Sequence, residues 1–196
     1  MSRLKNLFKI TFNDTNTYLL IDDGEACIID AAAPTYLLED VLKDVDVKYI
    51  LITHVHPRHV KFLKEVKSRF SGEISIHRDD LILLNEQYSE TKPDILHKHM
   101  QKVKVGNLSI VVLHTPGHTD GSTCFTVREL KILFSGDTLL KGGYGRISNP
   151  HSMGKMVVSL KNISRSLSPD TIVYPGHGPE TKICEEVWLD GLDMLS

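Results

Sequence analysis

Hydrophobic and polar positions alternate near the start of the chain in the way that antiparallel strands require. Leu7–Phe12 alternates residue by residue, and the largely apolar segment Asn16–Ile21 follows it after a short polar interval. The turn Asp22-Asp23-Gly24 then leads into Ala26–Asp30. These segments therefore predict an antiparallel opening with a β-hairpin at its second turn.

Beyond the hairpin, segments with helical periodicity alternate with short apolar runs. An amphipathic helix is predicted to begin near Pro34. The apolar run Tyr49–Thr53 predicts a buried strand, and the residues after it predict a helix over Val60–Phe70 and a strand over Glu73–His77. This order places a loop at the carboxyl end of a strand, where α/β folds commonly bind ligands.

The second half of the chain repeats this arrangement. Its predicted strands are Lys102–Val105, Leu108–Leu113, Thr123–Val127, Lys131–Phe134 and Thr171–Tyr174. A helix is predicted from Met153 to Ser166 and a short amphipathic helix at the end, while the polar stretch Glu86–His99 predicts an irregular surface segment. Two blocks of strands with helices after each predict an α+β fold in which two sheets pack face to face, as one domain over residues 1–196.

Composition narrows the partners and the compartment. The 196 residues are 41% hydrophobic and carry a formal net charge of −2, and because no basic block stands out we expect no nucleic-acid partner. No apolar run is long enough to span a membrane, and Met1–Lys9 lacks the apolar stretch of a signal peptide. The scattered Cys27, Cys124 and Cys184 predict free thiols in a disulfide-free cytoplasmic protein.

Several of the ten histidines fall at the ends of predicted strands. Imidazoles or carboxylates follow four of these strands, in the segments Thr53–His59, Gly117-His118, Gly136-Asp137 and Gly176-His177. The remaining histidines lack this context. We expect surface or supporting positions for His77, His97, His99 and His114, and a position at a pocket edge for His151.

This set of residues points to a bound metal. Neutral imidazole and carboxylate are the ligands that zinc and ferrous iron prefer. Alternate residues of an extended segment point the same way, so His54 and His56 can bind one ion. Pro57 favours an extended conformation at His56, which preserves that alternation. His118 and Asp137 lie at two other strand ends. The chain is therefore predicted to bind a catalytic metal, beside which a small-molecule substrate would bind.

These motifs resemble those of the metallo-β-lactamase superfamily, and most closely its small glyoxalase II-like and persulfide dioxygenase-like members. The matching segments, in the family's order, are Thr53–His59, His114–Ser122, Leu133–Leu139 and Pro175–Gly178. The resemblance implies an αββα four-layer β-sandwich with the metals at one edge. It implies that His54, His56 and His118 bind a first metal, and that Asp137 bridges to a second metal bound by His59 and His177. Asp30 matches the aspartate that supports the metal loop.

Two departures from the family pattern affect the expected chemistry. Arg58 stands where the motif has an aspartate that binds the second metal and orients the attacking water. A guanidinium about 4 Å from a divalent ion would be repelled by roughly 8 kcal/mol at an effective dielectric constant near 20. Alternatively Arg58 points into solvent, or pairs with Asp137. The chain also ends soon after His177, without the helical domain with which glyoxalase II binds glutathione.

Three functions follow from this pattern. The first is a metal-dependent hydrolase of a small ester, thioester or lactone, with a metal-bound hydroxide as nucleophile and Asp137, His177 and Arg58 as candidate catalytic residues. The second is a mononuclear iron sulfur (persulfide) dioxygenase, and the third is a non-catalytic protein with a decayed second site. The expected cofactor is one tightly bound zinc or iron, with the second site weak or empty. No pattern indicates an oligomeric state.

Overall fold

The computed structural model describes residues 6–88 and 90–195 of the chain. These residues form two six-stranded sheets. The first sheet follows chain order and contains β1 (Leu7–Phe12), β2 (Thr15–Asp22), β3 (Glu25–Ile29), β4 (Asp46–Leu51), β5 (Glu73–His77) and β6 (Ile95–His97). The second contains β7 (Lys102–Val105), β8 (Leu108–His114), β9 (Thr123–Val127), β10 (Ile132–Gly136), β11 (Ile172–Pro175) and β12 (Thr181–Lys182).

The helices of the first half are shorter or more divided than the periodicity predicts, whereas the long helix of the second half begins at Pro150 rather than at Met153. The α-helices are α1 (Glu39–Leu42), α2 (Pro57–Val60), α3 (Leu63–Phe70), α4 (Leu81–Gln87) and α5 (Pro150–Ser166). The helix predicted near Pro34 is a 3-10 turn followed by one turn of α1, and the predicted Val60–Phe70 helix is divided between α2 and α3. The closing helix is a 3-10 segment over Val187–Leu195.

The prediction of an irregular surface segment over Glu86–His99 was partly wrong. It contains the end of α4 and the whole of β6, which pairs in parallel with β5. Isolated apolar residues and the polar surroundings of Ile95 gave little periodicity to detect. The edge strand is defined by its partner rather than by its own pattern, since strand propensity depends strongly on context.

Side chains of opposite pleat direction fill different cores. In the first sheet Leu19 and Ile28 face a core shared with α1, α3 and α4, while Leu20 and Ile29 face a core shared with the second sheet. A third core lies between the second sheet and α5, around Met156. Three cores separate four layers, so the expected αββα β-sandwich is confirmed.

Within the described residues no helix is long and apolar enough to cross a membrane. Cys27, Cys124 and Cys184 are all free thiols. Cys27 and Cys124 are buried as expected from their apolar surroundings, whereas Cys184 is exposed, which differs from that expectation. The first part of the segment Met1–Lys9, for which no signal peptide is predicted, lies outside the described residues.

Candidate metal centre

The candidate ligands converge because each follows the carboxyl end of a strand at the same edge of the sandwich. His54 and His56 follow β4, His118 follows β8, Asp137 directly follows β10, and His177 follows β11. A hydrogen bond from the Thr123 amide to the Thr53 carbonyl, 2.8 Å long, joins the two sheets beside this edge. The strand ends predicted from sequence therefore meet in space.

Glycines allow the strand ends to approach so closely. Gly136 has a φ of +51°, and a Cβ there would lie 2.6 Å from the Thr53 hydroxyl. A Cβ on Gly176 would lie 2.5 Å from Oδ1 of Asp137. A side chain at either position would displace a residue of the site.

Three imidazoles and one carboxylate form the inner part of the cluster. Nδ1 of His56 lies 2.8 Å from Nε2 of His118, which in turn lies 3.3 Å from Oδ2 of Asp137. Nε2 of His54 lies 3.9 Å from the same carboxylate oxygen. One nitrogen from each of His54, His56 and His118 falls within 4.8 Å of the others, which is compatible with one shared ion.

The outer part of the cluster is formed by His59 and His177 around the other side of Asp137. Nε2 of His59 lies 3.6 Å from Oδ1 of Asp137, and Nε2 of His177 lies 3.5 Å from its Oδ2. The two imidazole nitrogens are 3.3 Å apart. Asp137 thus contacts histidines of both groups.

Hydrogen bonds on the far side of the rings orient these histidines. Nδ1 of His59 lies 2.7 Å from Oδ2 of Asp30, Nδ1 of His118 lies 2.8 Å from the Arg146 carbonyl oxygen, and Nδ1 of His177 lies 2.6 Å from the Asp14 carbonyl oxygen. When Nδ1 donates to such an acceptor, Nε2 is left unprotonated and directed into the cluster. This is the tautomer that binds a metal.

Asp30 supports the loop as the resemblance implies. Its two carboxylate oxygens accept hydrogen bonds from the amide and the hydroxyl of Thr53, each 2.8 Å long, besides the contact with His59. The backbone of Asp30 has a φ of +60°, which turns the chain at the end of β3 so that its side chain faces β4.

Two buried polar atoms test whether these residues fit a metal. Nε2 of His54 and Oδ1 of Asp137 are buried and have no hydrogen-bond partner among the described residues. Leaving buried polar atoms unpaired costs about 1–3 kcal/mol each. Both atoms point into the cluster, and both are of the kind that zinc and iron bind, so the donor set fits a divalent cation.

The electrostatics favour neutral imidazole ligands and an ionised carboxylate. Burial and the neighbouring His59 and His118 hold the pKa of His54 well below its ordinary value, and burial with His118 lowers the pKa of His56 to about 4. Burial raises the pKa of Asp137, but the hydrogen bond to His177 and the surrounding imidazoles bring it below its ordinary value overall. A metal binds only the deprotonated form of these ligands. The lowered pKa values of His54, His56 and Asp137 therefore favour metal binding.

A cavity of about 830 Å³ opens next to the cluster and is lined by His56, His59, His118, Asp137, His177, Arg58 and Arg146 among others. Arg58 is exposed, in the first turn of α2. The hydrogen bond with Asp137 raises the pKa of His177, and the charge of Arg58 opposes this rise. Among the described residues Arg58 makes no ion pair, so the arrangement in which it pairs with Asp137 is not observed.

Two supporting groups were missed by the sequence analysis. Buried Asp80 accepts hydrogen bonds from the Val55 amide at 2.9 Å, the Gly121 amide at 2.8 Å and the Thr119 hydroxyl at 2.9 Å, so it holds the loops of both His54–His56 and His118. Asn16 donates to the Pro175 and Gly178 carbonyls beside His177. Neither residue lies in a motif, and only the fold reveals these contacts.

Two of the remaining histidines, His77 and His97, are buried, which corresponds to a supporting rather than a surface position. The ring of His97 lies between the hydroxyls of Ser75 and Thr123, at 3.0 and 3.2 Å. It therefore connects the two sheets. His151 is exposed and does not line the cavity beside the metal centre.

Comparison with known proteins decides the family. The model of the metallo-β-lactamase superfamily matches residues 10–177. The chain belongs to the metallo-β-lactamase superfamily. It is therefore a member of a superfamily of metallo-hydrolases, and residues 54–59, 118, 137 and 177 all lie within the matched range.

Three members of the superfamily are similar to this chain over most of its length. Hydroxyacylglutathione hydrolase GloC from Haemophilus influenzae is 30% identical, over 92% of this chain and 93% of that protein. The crystal structure of ETHE1 from Myxococcus xanthus is 27% identical with a TM-score of 0.76, over 92% of this chain and 80% of that one. TTHA1623, crystallised in a di-iron-bound form, is 27% identical with a TM-score of 0.75, over 92% and 96%.

Proposed function

We propose that this protein is a metal-dependent hydrolase of a small ester, thioester or lactone. The observation that carries the proposal is the convergence of His54, His56, His118 and Asp137 at the wall of an open cavity. The cavity leaves room for a substrate beside the donors, which is what separates a catalytic metal site from a closed structural one. Similarity to GloC, a hydroxyacylglutathione hydrolase, supports a thioester among the candidate substrates.

The donor set assigns a role to each group. His54, His56 and His118 would hold the tightly bound metal, and Asp137 would add a carboxylate ligand. A divalent zinc or iron bound there supplies a Lewis acid and lowers the pKa of water toward neutrality.

The protein's own residues direct the proton. Asp137, which lines the cavity, accepts a hydrogen bond from the attacking water and so orients it. His177 lies 3.5 Å from Oδ2 of Asp137 at the cavity wall, and passes the proton on to the departing alkoxide or thiolate.

Arg58 is expected to make the second metal position bind its ion more weakly than the first. The second position keeps His59, His177 and Asp137 but has a cation where a carboxylate would bind the metal. Coulomb repulsion between a guanidinium and a divalent ion opposes occupancy there. We infer one tightly bound metal and a weak or empty second site.

Ester and thioester hydrolysis before and after removal of metal by a chelator tests the proposal. We expect hydrolysis by the protein as purified, its loss on chelation, and its return on adding zinc or ferrous iron. His118→Ala should abolish it, whereas His151→Ala, which alters an exposed histidine outside the cavity, should not. Hydrolysis that survives complete removal of metal would contradict the proposal.

A second candidate is an iron-dependent sulfur dioxygenase. Similarity to ETHE1 favours it, together with a donor set that offers two histidines and one carboxylate, the ligands of many non-haem iron oxygenases. Oxygen consumption by the iron-loaded protein with a low-molecular-weight persulfide would support this function. A zinc-loaded protein that hydrolyses thioesters while the iron-loaded form consumes no oxygen would exclude it.

A further inference from the structure

Two arginines at the cavity beside the metal centre have no partner in the part of the chain that the structure describes. Arg58 and Arg146 both line the cavity and both are exposed. Neither side chain forms a hydrogen bond or an ion pair with a described residue. The donors of both guanidinium groups are therefore available to a ligand in the cavity.

The backbones of both arginines are fixed next to the metal donors. Arg58 lies in the first turn of α2, directly after Pro57 and between His56 and His59. The backbone of Arg146 accepts the hydrogen bond from Nδ1 of His118, and the amide of the preceding Gly145 donates to the Asp137 carbonyl at 2.7 Å. Each guanidinium is therefore carried by a backbone segment that is held next to the metal donors.

The balance of charge in the cavity is positive. Among its lining residues Asp137 is the one carboxylate, and it lies within 3.3 to 3.9 Å of four imidazoles. Arg58 and Arg146 add two positive charges, and a bound divalent metal would add two more. A cavity with charges of one sign concentrates ligands of the opposite sign.

We propose that Arg58 and Arg146 form an anion-binding site that holds a carboxylate or phosphate group of the substrate. This inference rests on the proposed function, because it places the reacting carbonyl at the metal donors and the anionic group at the arginines. Guanidinium groups suit this task, since each presents paired donors that match the two oxygens of a carboxylate or phosphate. Replacement of the motif aspartate by Arg58 thus changes the site from metal binding to substrate binding.

Titration with simple anions tests the site without requiring turnover. Succinate and inorganic phosphate would be titrated by calorimetry into the full chain, as purified and after metal removal, with neutral succinamide as the matched probe. We expect Arg58→Gln and Arg146→Gln each to weaken anion binding at least about tenfold, since each removes charge-assisted hydrogen bonds. Binding should also weaken as salt is added.

Arg78→Gln is the matched control, because Arg78 is exposed and does not line the cavity. It should bind both anions as the wild type does. Loss of succinate binding alone assigns the site to carboxylates, and loss of phosphate binding alone assigns it to phosphates. Unchanged affinity for both anions in the double variant, or weakening by only one arginine, would overturn the two-arginine site. Anion binding without any ester hydrolysis would retain this site and reject the proposed hydrolase.

Discussion

Arg58 lies between histidines that face two different metal positions. It follows two histidines that face one metal position and precedes a third that faces another, so its charge bears on the second position more than on the first. Coulomb repulsion between its guanidinium group and a divalent ion opposes metal binding at that second position.

Arg58→Asp should therefore restore a second metal. The substitution removes the cation and adds a carboxylate beside His59, His177 and Asp137. We expect the metal content measured by plasma emission to rise from one per chain toward two. Arg58→Gln separates the two effects, since it removes the charge without adding a ligand. Two tightly held metals in the wild type, or no change on substitution, would show that Arg58 does not control this position.

His97 offers a test of residue-scale electrostatics outside the metal centre. Burial, with the nearby His77 and His114, lowers its pKa to about 3. An unfolded chain binds a proton at this histidine near pH 6.5, so lowering the pH favours the unfolded state until the folded pKa is reached. Stability from neutral His97 is thus present above pH 6.5 and is lost between pH 6.5 and about 3.

Denaturant unfolding of metal-free protein at pH 7 and pH 5 measures this effect. The wild type should lose about 2 kcal/mol more than His97→Gln over this interval, as expected when the unfolded state alone takes up the proton. Equal losses in the two proteins would show that His97 is protonated in the folded state.

At the scale of the elements, the metal centre is assembled by loops that Asp80 holds together. Its carboxylate joins the loop after β4 to the loop after β8, through contacts 25 and 41 positions apart in sequence. The ligands themselves could be predicted, because they stand at fixed spacing after apolar runs. Asp80 could not, since its importance depends on which loops the fold brings together and on no local pattern.

Asp80→Ala should loosen both loops. Three buried donors, the amides of Val55 and Gly121 and the Thr119 hydroxyl, would lose their acceptor. We expect the free energy of unfolding to fall by about 3 kcal/mol and metal affinity to fall at least tenfold. The neighbouring Asp79→Ala is the control, because Asp79 is exposed and its contacts are weak. Similar losses in both variants would contradict the role given to Asp80.

The same reasoning explains which elements the sequence could predict. Strand β1 alternates clearly and a turn separates β2 from β3, and the boundaries of all three are close to those predicted. The edge strand β6 and the short helices α1 and α2 have little periodicity of their own. Their conformations depend on packing against neighbours, which local propensity does not encode.

For the whole molecule, the four-layer architecture determines which groups reach solvent. Cys27 and Cys124 are buried in two different cores, and burial raises the pKa of the Cys27 thiol to about 12 and that of Cys124 to about 11. Cys184 is exposed. A maleimide reagent should therefore modify one thiol per native chain and three after denaturation, as counted by mass spectrometry. Fast modification of Cys27 or Cys124 in the native protein would contradict the layered packing.

The most direct test of the account is a calorimetric titration of metal-free protein with zinc. The wild type and His151→Ala should each bind one zinc tightly, whereas His118→Ala should bind it at least a hundredfold more weakly. The variant removes an imidazole that contacts both His56 and Asp137. Tight binding that is unaffected by His118→Ala, or no zinc binding by the wild type, would contradict the claim that His54, His56, His118 and Asp137 form a metal centre.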